Sequence, residues 1–148
     1  MKRQLRQRRN ARGFTLLEVM MVLVIIGVLA SLVAPNILGN RDRANIQKAV
    51  ADISGLENAL QMYYAHNSMV PTTEQGLQAL ITRPNSRPEP RNYQEGGYVQ
   101  RLPKDPWGND YVLLSPGEMS RFDLCTAGPD MQLGTDDDIC NFNLGDYQ

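Results

Sequence analysis

Between Phe14 and Ala34 the chain carries an almost unbroken apolar run with one charge in it, Glu18. About twenty residues at the helical rise cross a bilayer core, and a single spanning segment can satisfy its own backbone only as a helix. That decides a conflict inside the run. Val19-Met20-Met21-Val22-Leu23-Val24-Ile25-Ile26 is rich in β-branched residues, and propensity alone reads it as a strand. Glu18 is the anomaly, because an ionised carboxylate in hydrocarbon is costly unless partnered. Either it sits at the membrane edge and reaches water, or it is a functional charge that awaits a partner.

The flank bears on that choice. Lys2, Arg3, Arg6, Arg8, Arg9 and Arg12 supply six cations and no acid before Gly13 and Phe14. A secretory signal places its small-residue cleavage site after the apolar region, whereas here the small residue precedes it. The run Arg12-Gly13-Phe14-Thr15-Leu16-Leu17-Glu18 resembles the class III signal of the type IV filament superfamily. The resemblance implies a membrane prepilin peptidase that cuts between Gly13 and Phe14 and methylates the new amine of Phe14. It also implies a role for Glu18 in assembly: its carboxylate pairs with the Phe14 amine of a neighbouring subunit and sets the stagger, as buried polar groups set register elsewhere. The plain alternative is an uncleaved signal anchor whose arginines only fix orientation.

Composition supports an envelope protein. The 15 basic and 16 acidic residues nearly balance, but removal of the six leader cations leaves nine against 16, or -7. So acidic a body argues against nucleic acid as a partner. The positive-inside rule puts the leader in the cytoplasm and the body outside, where disulfides persist. Cys125 and Cys140 are therefore either bridged or two separate buried thiols; a bridge over that loop is worth about 3 kcal/mol.

Beyond the apolar run, Pro35 predicts a bend or local melt of the helix. Ile46, Ile53 and Leu60 then recur every seven residues, with Ala49, Leu56 and Tyr63 between them. This is an apolar helical stripe, read as packing on the chain's own body rather than as a coiled coil. The helix should end near His66-Asn67-Ser68, ahead of Pro71. His66, without acid or cysteine at ligand spacing, reads as a surface residue. Thr72 to Gln75 has capping-box spacing and predicts a short helix through Leu80. Pro84, Pro88 and Pro90 mark an irregular connector, whose Arg83, Arg87 and Arg91, with Arg101, read as scattered ion pairs or a patch for an acidic partner. Tyr111–Leu114 and Arg121–Cys125 read as strands.

Leu102-Pro103-Lys104-Asp105-Pro106-Trp107-Gly108-Asn109-Asp110-Tyr111 reads as a rigid corner with no chemistry of its own. It is similar to the corresponding run of the major, G-type pseudopilins of type II secretion. Further on, Ala127-Gly128-Pro129-Asp130 and Gly134-Thr135-Asp136-Asp137-Asp138 concentrate four carboxylates. An all-oxygen set suits a hard cation, although charge alone favours a solvated loop and the spacing is not that of an EF-hand. The resemblance implies calcium, with Asp130, Asp137 and Asp138 as side-chain ligands. Asp136 stands where relatives commonly have glutamate, which leaves open which adjacent pair of the triple Asp binds. Relatives of this type often lack the cysteine pair, whereas major type IV pilins often carry one.

The expected fold is α+β and pilin-like: a long N-terminal helix, membrane-spanning in its first half, on a small C-terminal domain with a short antiparallel sheet and a calcium loop. Residues 1–13 form the cleaved leader, 14–35 the membrane and filament-core helix, and 36–148 the periplasmic body. The resemblance implies a homopolymeric filament with minor pseudopilins, an inner-membrane assembly platform and a cytoplasmic ATPase as partners, and a role in exporting folded proteins across the outer membrane. Thr15, Ser31 and Ser115 lack a general base, so no catalysis is expected. The competing readings are a major type IV pilin of a surface fibre and a membrane-anchored calcium-dependent module that never polymerises.

Overall fold

The structure, a computed structural model, describes residues 13–147, without the side chains of positions 31–40. The leader therefore lies outside the described residues except for Gly13. The chain divides into two compact units between Asn40 and Arg41. One helix, α1 (Leu16–Asn67), contributes to both.

In the first unit Thr15 caps α1: its hydroxyl oxygen accepts the Glu18 N–H at 3.2 Å, and its carbonyl accepts the Val19 N–H. Glu18 is thereby an acid in the first turn, where it opposes the positive end of the helix macrodipole. The described apolar side chains of this unit have no core to enter. Phe14 is 81% and Leu16 79% exposed, and every large hydrophobic residue from Val19 to Ile26 is likewise exposed. Among the described residues no helix is long and apolar enough to cross a membrane. Leu16–Ala30, the part with described side chains, reaches about 22 Å at the helical rise, short of a hydrocarbon core of about 30 Å. The backbone keeps its helical assignment through Pro35, so the expected melt is not present in the isolated chain. A proline within a helix removes one hydrogen bond, a loss that need not interrupt the assignment.

In the second unit the seven-residue stripe packs inward. Ala49, Ile53, Leu56, Leu60 and Tyr63 are buried against Leu77, Leu80, Tyr111, Leu113, Phe122, Leu124 and Ile139. The helix ends at Asn67, followed by Ser68 in the left-handed region (φ 56°). Asn67 is itself buried. Its Nδ2 donates to the Tyr63 carbonyl (3.0 Å) and the Tyr98 hydroxyl (2.9 Å), and its Oδ1 accepts the Asn92 N–H (2.9 Å). One amide thus ties the proline-rich connector to the end of the helix.

The capping box closes in both directions, Thr72 N–H to Gln75 Oε1 and Gln75 N–H to Thr72 Oγ1, each 3.2 Å. The element it opens is shorter than expected: a 3₁₀ helix over Leu77–Leu80. Gly76, at φ 58° and ψ −167°, breaks the helical path between the two. The four connector and corner arginines are not the expected scattered ion pairs. Among the described residues the ion pairs are Lys48–Asp52 and Lys104–Asp110, and Arg83 donates instead to the Pro90 carbonyl at 2.9 Å.

The sheet is antiparallel with order β1-β2-β3: β1 (Val112–Leu114), β2 (Asp123–Thr126) and β3 (Ile139–Cys140). The two expected strands are present, narrower by a residue or two at their starts, and β3 is additional. The 115–120 link is organised from within the sheet by Asp123, a buried carboxylate that accepts the N–H groups of Glu118 (2.6 Å), Met119 and Ser120 (each 3.0 Å). Burial pushes the Asp123 carboxyl up, but these donors outweigh it and hold it below the usual carboxylate range.

Candidate functional site

Two places carry the sequence-predicted residues. At the start of the chain, Gly13, Phe14, Thr15 and Glu18 line one shallow concavity. Thr15 enters the sequence reading only as a hydroxyl without a general base, yet Thr15-x-x-Glu18 is the spacing of a capping box. The cap fixes where the helix begins and hence how far Glu18 stands from the Gly13–Phe14 bond.

The second place is the loop between β2 and β3. Thr126 and Ile139 pair across its mouth, as do Cys125 and Cys140, whose sulfur atoms are 2.05 Å apart and whose Cα atoms are 4.1 Å apart. The neighbouring Asn141 N–H donates to the Leu124 carbonyl, so the cysteines occupy a non-hydrogen-bonded pair, the closer of the two antiparallel positions. The loop itself is wound tightly. Gly128 has φ 62°, and a Cβ there would lie 2.3 Å from the Asp137 carbonyl oxygen, so only glycine fits.

The carboxylates are turned onto local donors. Asp130 Oδ1 accepts the Gln132 N–H (2.8 Å), and Asp137 Oδ2 accepts the Asp130 N–H (3.1 Å). Asp137 Oδ1 accepts the Thr135 hydroxyl (2.7 Å), and Asp138 Oδ2 the Gly134 N–H (2.7 Å). The Thr135 hydroxyl and then the backbone donors hold the Asp137 carboxyl below its ordinary range. Asp130 and Asp137 are thus brought together, with Asp138 facing the next turn of the loop. Among the described residues no group of three or more His, Cys, Asp or Glu side chains is gathered as a metal-holding set. Two observations nevertheless suit a hard cation. The available donors are all oxygen, and Asp138 Oδ1 is buried without a hydrogen-bond partner, a position in which an anion seeks a counter-charge. Asp136 is exposed.

The corner supplies a support that sequence reasoning missed. Asp105 is 4% exposed and accepts the Trp107 N–H (3.0 Å), the Asn109 N–H (2.7 Å) and the Thr126 hydroxyl. It therefore pins the corner to the last residue of β2, one step before the acidic loop. An aspartate that caps its own turn two residues on is an Asx turn, and Asp105-Pro106-Trp107 carried that signal. His66 is at the surface as read, its Nδ1 3.3 Å from the Tyr98 hydroxyl.

The helices and the small three-stranded antiparallel sheet are those of a pseudopilin-class subunit, as a comparison with solved structures shows. The structure is similar to the crystal structure of the major pseudopilin from the type 2 secretion system of enterohaemorrhagic Escherichia coli, with a TM-score of 0.69, 51% identity, and coverage of 75% of this chain and 93% of that one. A family model described as Type II secretion system (T2SS), protein G, matches residues 36–142, and one described as Prokaryotic N-terminal methylation motif matches residues 8–34. Proteins named Type II secretion system core protein G are similar along nearly their whole length. That of Aeromonas hydrophila is 58% identical over 142 residues (96% of this chain, 99% of the relative), and that of Vibrio cholerae is 58% identical over 147 residues (97% and 100%). That of Pseudomonas aeruginosa is 45% identical over 140 residues. The chain belongs to the type II secretion system protein G family.

Proposed function

We propose that this chain is the major structural subunit of a type II secretion pseudopilus, processed between Gly13 and Phe14 and polymerised through its N-terminal helix into a periplasmic filament. The carrying observation is the capped helix start, where Glu18 is the one acid in an apolar segment that has no core of its own. In the membrane pool the body lies on the periplasmic side and the leader in the cytoplasm. Cleavage exposes the Phe14 amine, which is methylated and stays cationic. A unit pair at about 4 Å is worth roughly 4 kcal/mol at an effective dielectric of 20, enough to favour one axial stagger of neighbouring helices over another. The prepilin peptidase, the inner-membrane platform with its cytoplasmic ATPase, and minor pseudopilins are the partners of this cycle. The family match favours this reading over a surface type IV pilin, despite the cysteine pair.

The acidic loop holds calcium in this reading, with Asp130, Asp137 and Asp138 as carboxylate ligands and Asp138 Oδ1 the atom that most needs a counter-charge. The ion supplies charge neutralisation, and the chain's residues do the positioning: Gly128 lets the loop close and Asp105 holds its base. Two measurements test the assembly reading. Intact mass should show loss of residues 1–13 and gain of one methyl group. Glu18→Ala should abolish filaments and enzyme export while leaving the membrane pool intact; export by that variant at the normal level would refute the assigned role.

A further inference from the structure

We propose that the end of the body distant from the acidic loop is a docking surface for the acidic loop of a second copy, with Arg91 of one chain facing Asp136 of the next. This rests on the polymerising reading above, and the test separates the two.

The two surfaces lie at opposite ends of the part of α1 that carries the body. Gln47 Nε2 donates to the Tyr147 carbonyl at 2.7 Å, and the Tyr147 hydroxyl donates to the Asp138 carbonyl at 3.3 Å. The acidic loop is thereby fixed beside the start of that helical segment. At its other end a cavity of about 380 Å³ is lined by His66, Asn67, Ser68, Met69, Arg91 and Asn92. Twenty helical residues separate Gln47 from Asn67, about 30 Å at 1.5 Å per residue.

Most polar groups in that cavity are already used. Asn67 is spent on Tyr63, Tyr98 and Asn92, and the Asn92 side-chain amide donates to the His66 carbonyl. Arg91 is exposed and enters none of the ion pairs among the described residues. Its backbone is held on both sides, because the Asn92 N–H is tied to Asn67 and the preceding Pro90 is fully buried and accepts from the Arg83 guanidinium. Residues 83–91 hold three arginines against one glutamate, whereas residues 130–138 hold four aspartates and no base. Three of those four carboxylates accept bonds within the loop, and the fourth, Asp136, is exposed.

A surface at one end that complements a different surface at the other end is a heterologous contact. It does not close on itself and so propagates copies along an axis, as a filament requires. Because both groups are solvent-exposed, the contact selects register and partner more than it adds affinity.

Full-length chain carrying both Arg91→Cys and Asp136→Cys, assembled in cells and treated with a short bismaleimide, should yield a ladder of dimers and higher multimers. Either single substitution should yield none, and neither should the double variant that also carries Glu18→Ala. As a second measurement, Arg91→Glu or Asp136→Lys alone should lower filament yield several-fold, and the two reversals in one chain should restore it. Filaments that form without a ladder, or an Arg91→Glu defect that Asp136→Lys does not rescue, overturn this contact and assign the cavity to another partner. Absence of filaments from the unaltered chain overturns the polymerising reading and the contact with it.

Discussion

Removal of the Cys125–Cys140 bridge is the perturbation whose size follows most directly from the structure. The bridge spans 15 positions of chain, and a closed loop of that length restricts the unfolded ensemble by about 3 kcal/mol at 25 °C. For a body of roughly a hundred residues each kcal/mol moves Tm by about 4 °C, so Cys125→Ser with Cys140→Ser should lower Tm by about 12 °C. β3 has two residues and is held on β2 by its short pairing, the bridge and the bonds of Asn141 to Leu124, so the loss should be close to this value. The assay is a thermal melt of the fragment Arg41–Gln148, oxidised and double-mutant, each with excess calcium and with chelator. An ion at a hundred times its dissociation constant adds about 2.7 kcal/mol, so chelation should lower Tm by a further 10 °C or so in the oxidised protein. A fall of less than about 4 °C on loss of the bridge would refute the chain-entropy reasoning. A melt indifferent to chelator would refute calcium in the loop.

Two other perturbations address the supports of the sheet. Gly128→Ala places a methyl group 2.3 Å from the Asp137 carbonyl oxygen at a position with φ 62°, and should cost about 1–3 kcal/mol, read as a lower Tm together with weaker calcium binding. Asp123 has a folded pKa below its unfolded value of about 3.9, so its contribution is complete above that value and disappears as pH falls through the folded pKa. Asp123→Asn should lower stability at pH 7 by about 1–3 kcal/mol, since an amide cannot accept three N–H groups with both atoms, and should flatten the stability curve below about pH 4; parallel curves for the two proteins would remove Asp123 from the acid response.

The parts of the molecule that repeat were the legible ones. The stripe from Ile46 to Tyr63 is a long periodic signal, and the chain buries that face as read. Single side chains that bind other groups leave a weaker signal. Asp123 organises 118–120 through their N–H groups and reads as an ordinary surface acid in the sequence, whereas Asp105 carries an Asx-turn signal that gives no hint of its bond to the Thr126 hydroxyl, 21 positions away. β3 went unread because two residues directly after three aspartates carry no alternation. The short helix was overextended because a capping box announces where a helix begins and not whether Gly76 lets it continue. Of the candidate site, the residue types of the acidic loop were plain, whereas the turning of Asp130, Asp137 and Asp138 onto separate donors is decided by loop winding around Gly128, which composition does not encode.

The uncovered start of α1 has an energetic consequence for transfer. Hydrocarbon tails and the side chains of neighbouring helices are nearly equivalent surroundings for Leu, Ile and Val, so moving the segment from lipid into a bundle of its own kind changes its apolar free energy little. On the assembly reading proposed above, passage between those two phases would be nearly neutral in free energy for everything in the segment except one group. Glu18 would be the group that discriminates lipid from bundle, so that a single ionisable atom pair would act as the valve on a movement involving more than a dozen exposed apolar side chains.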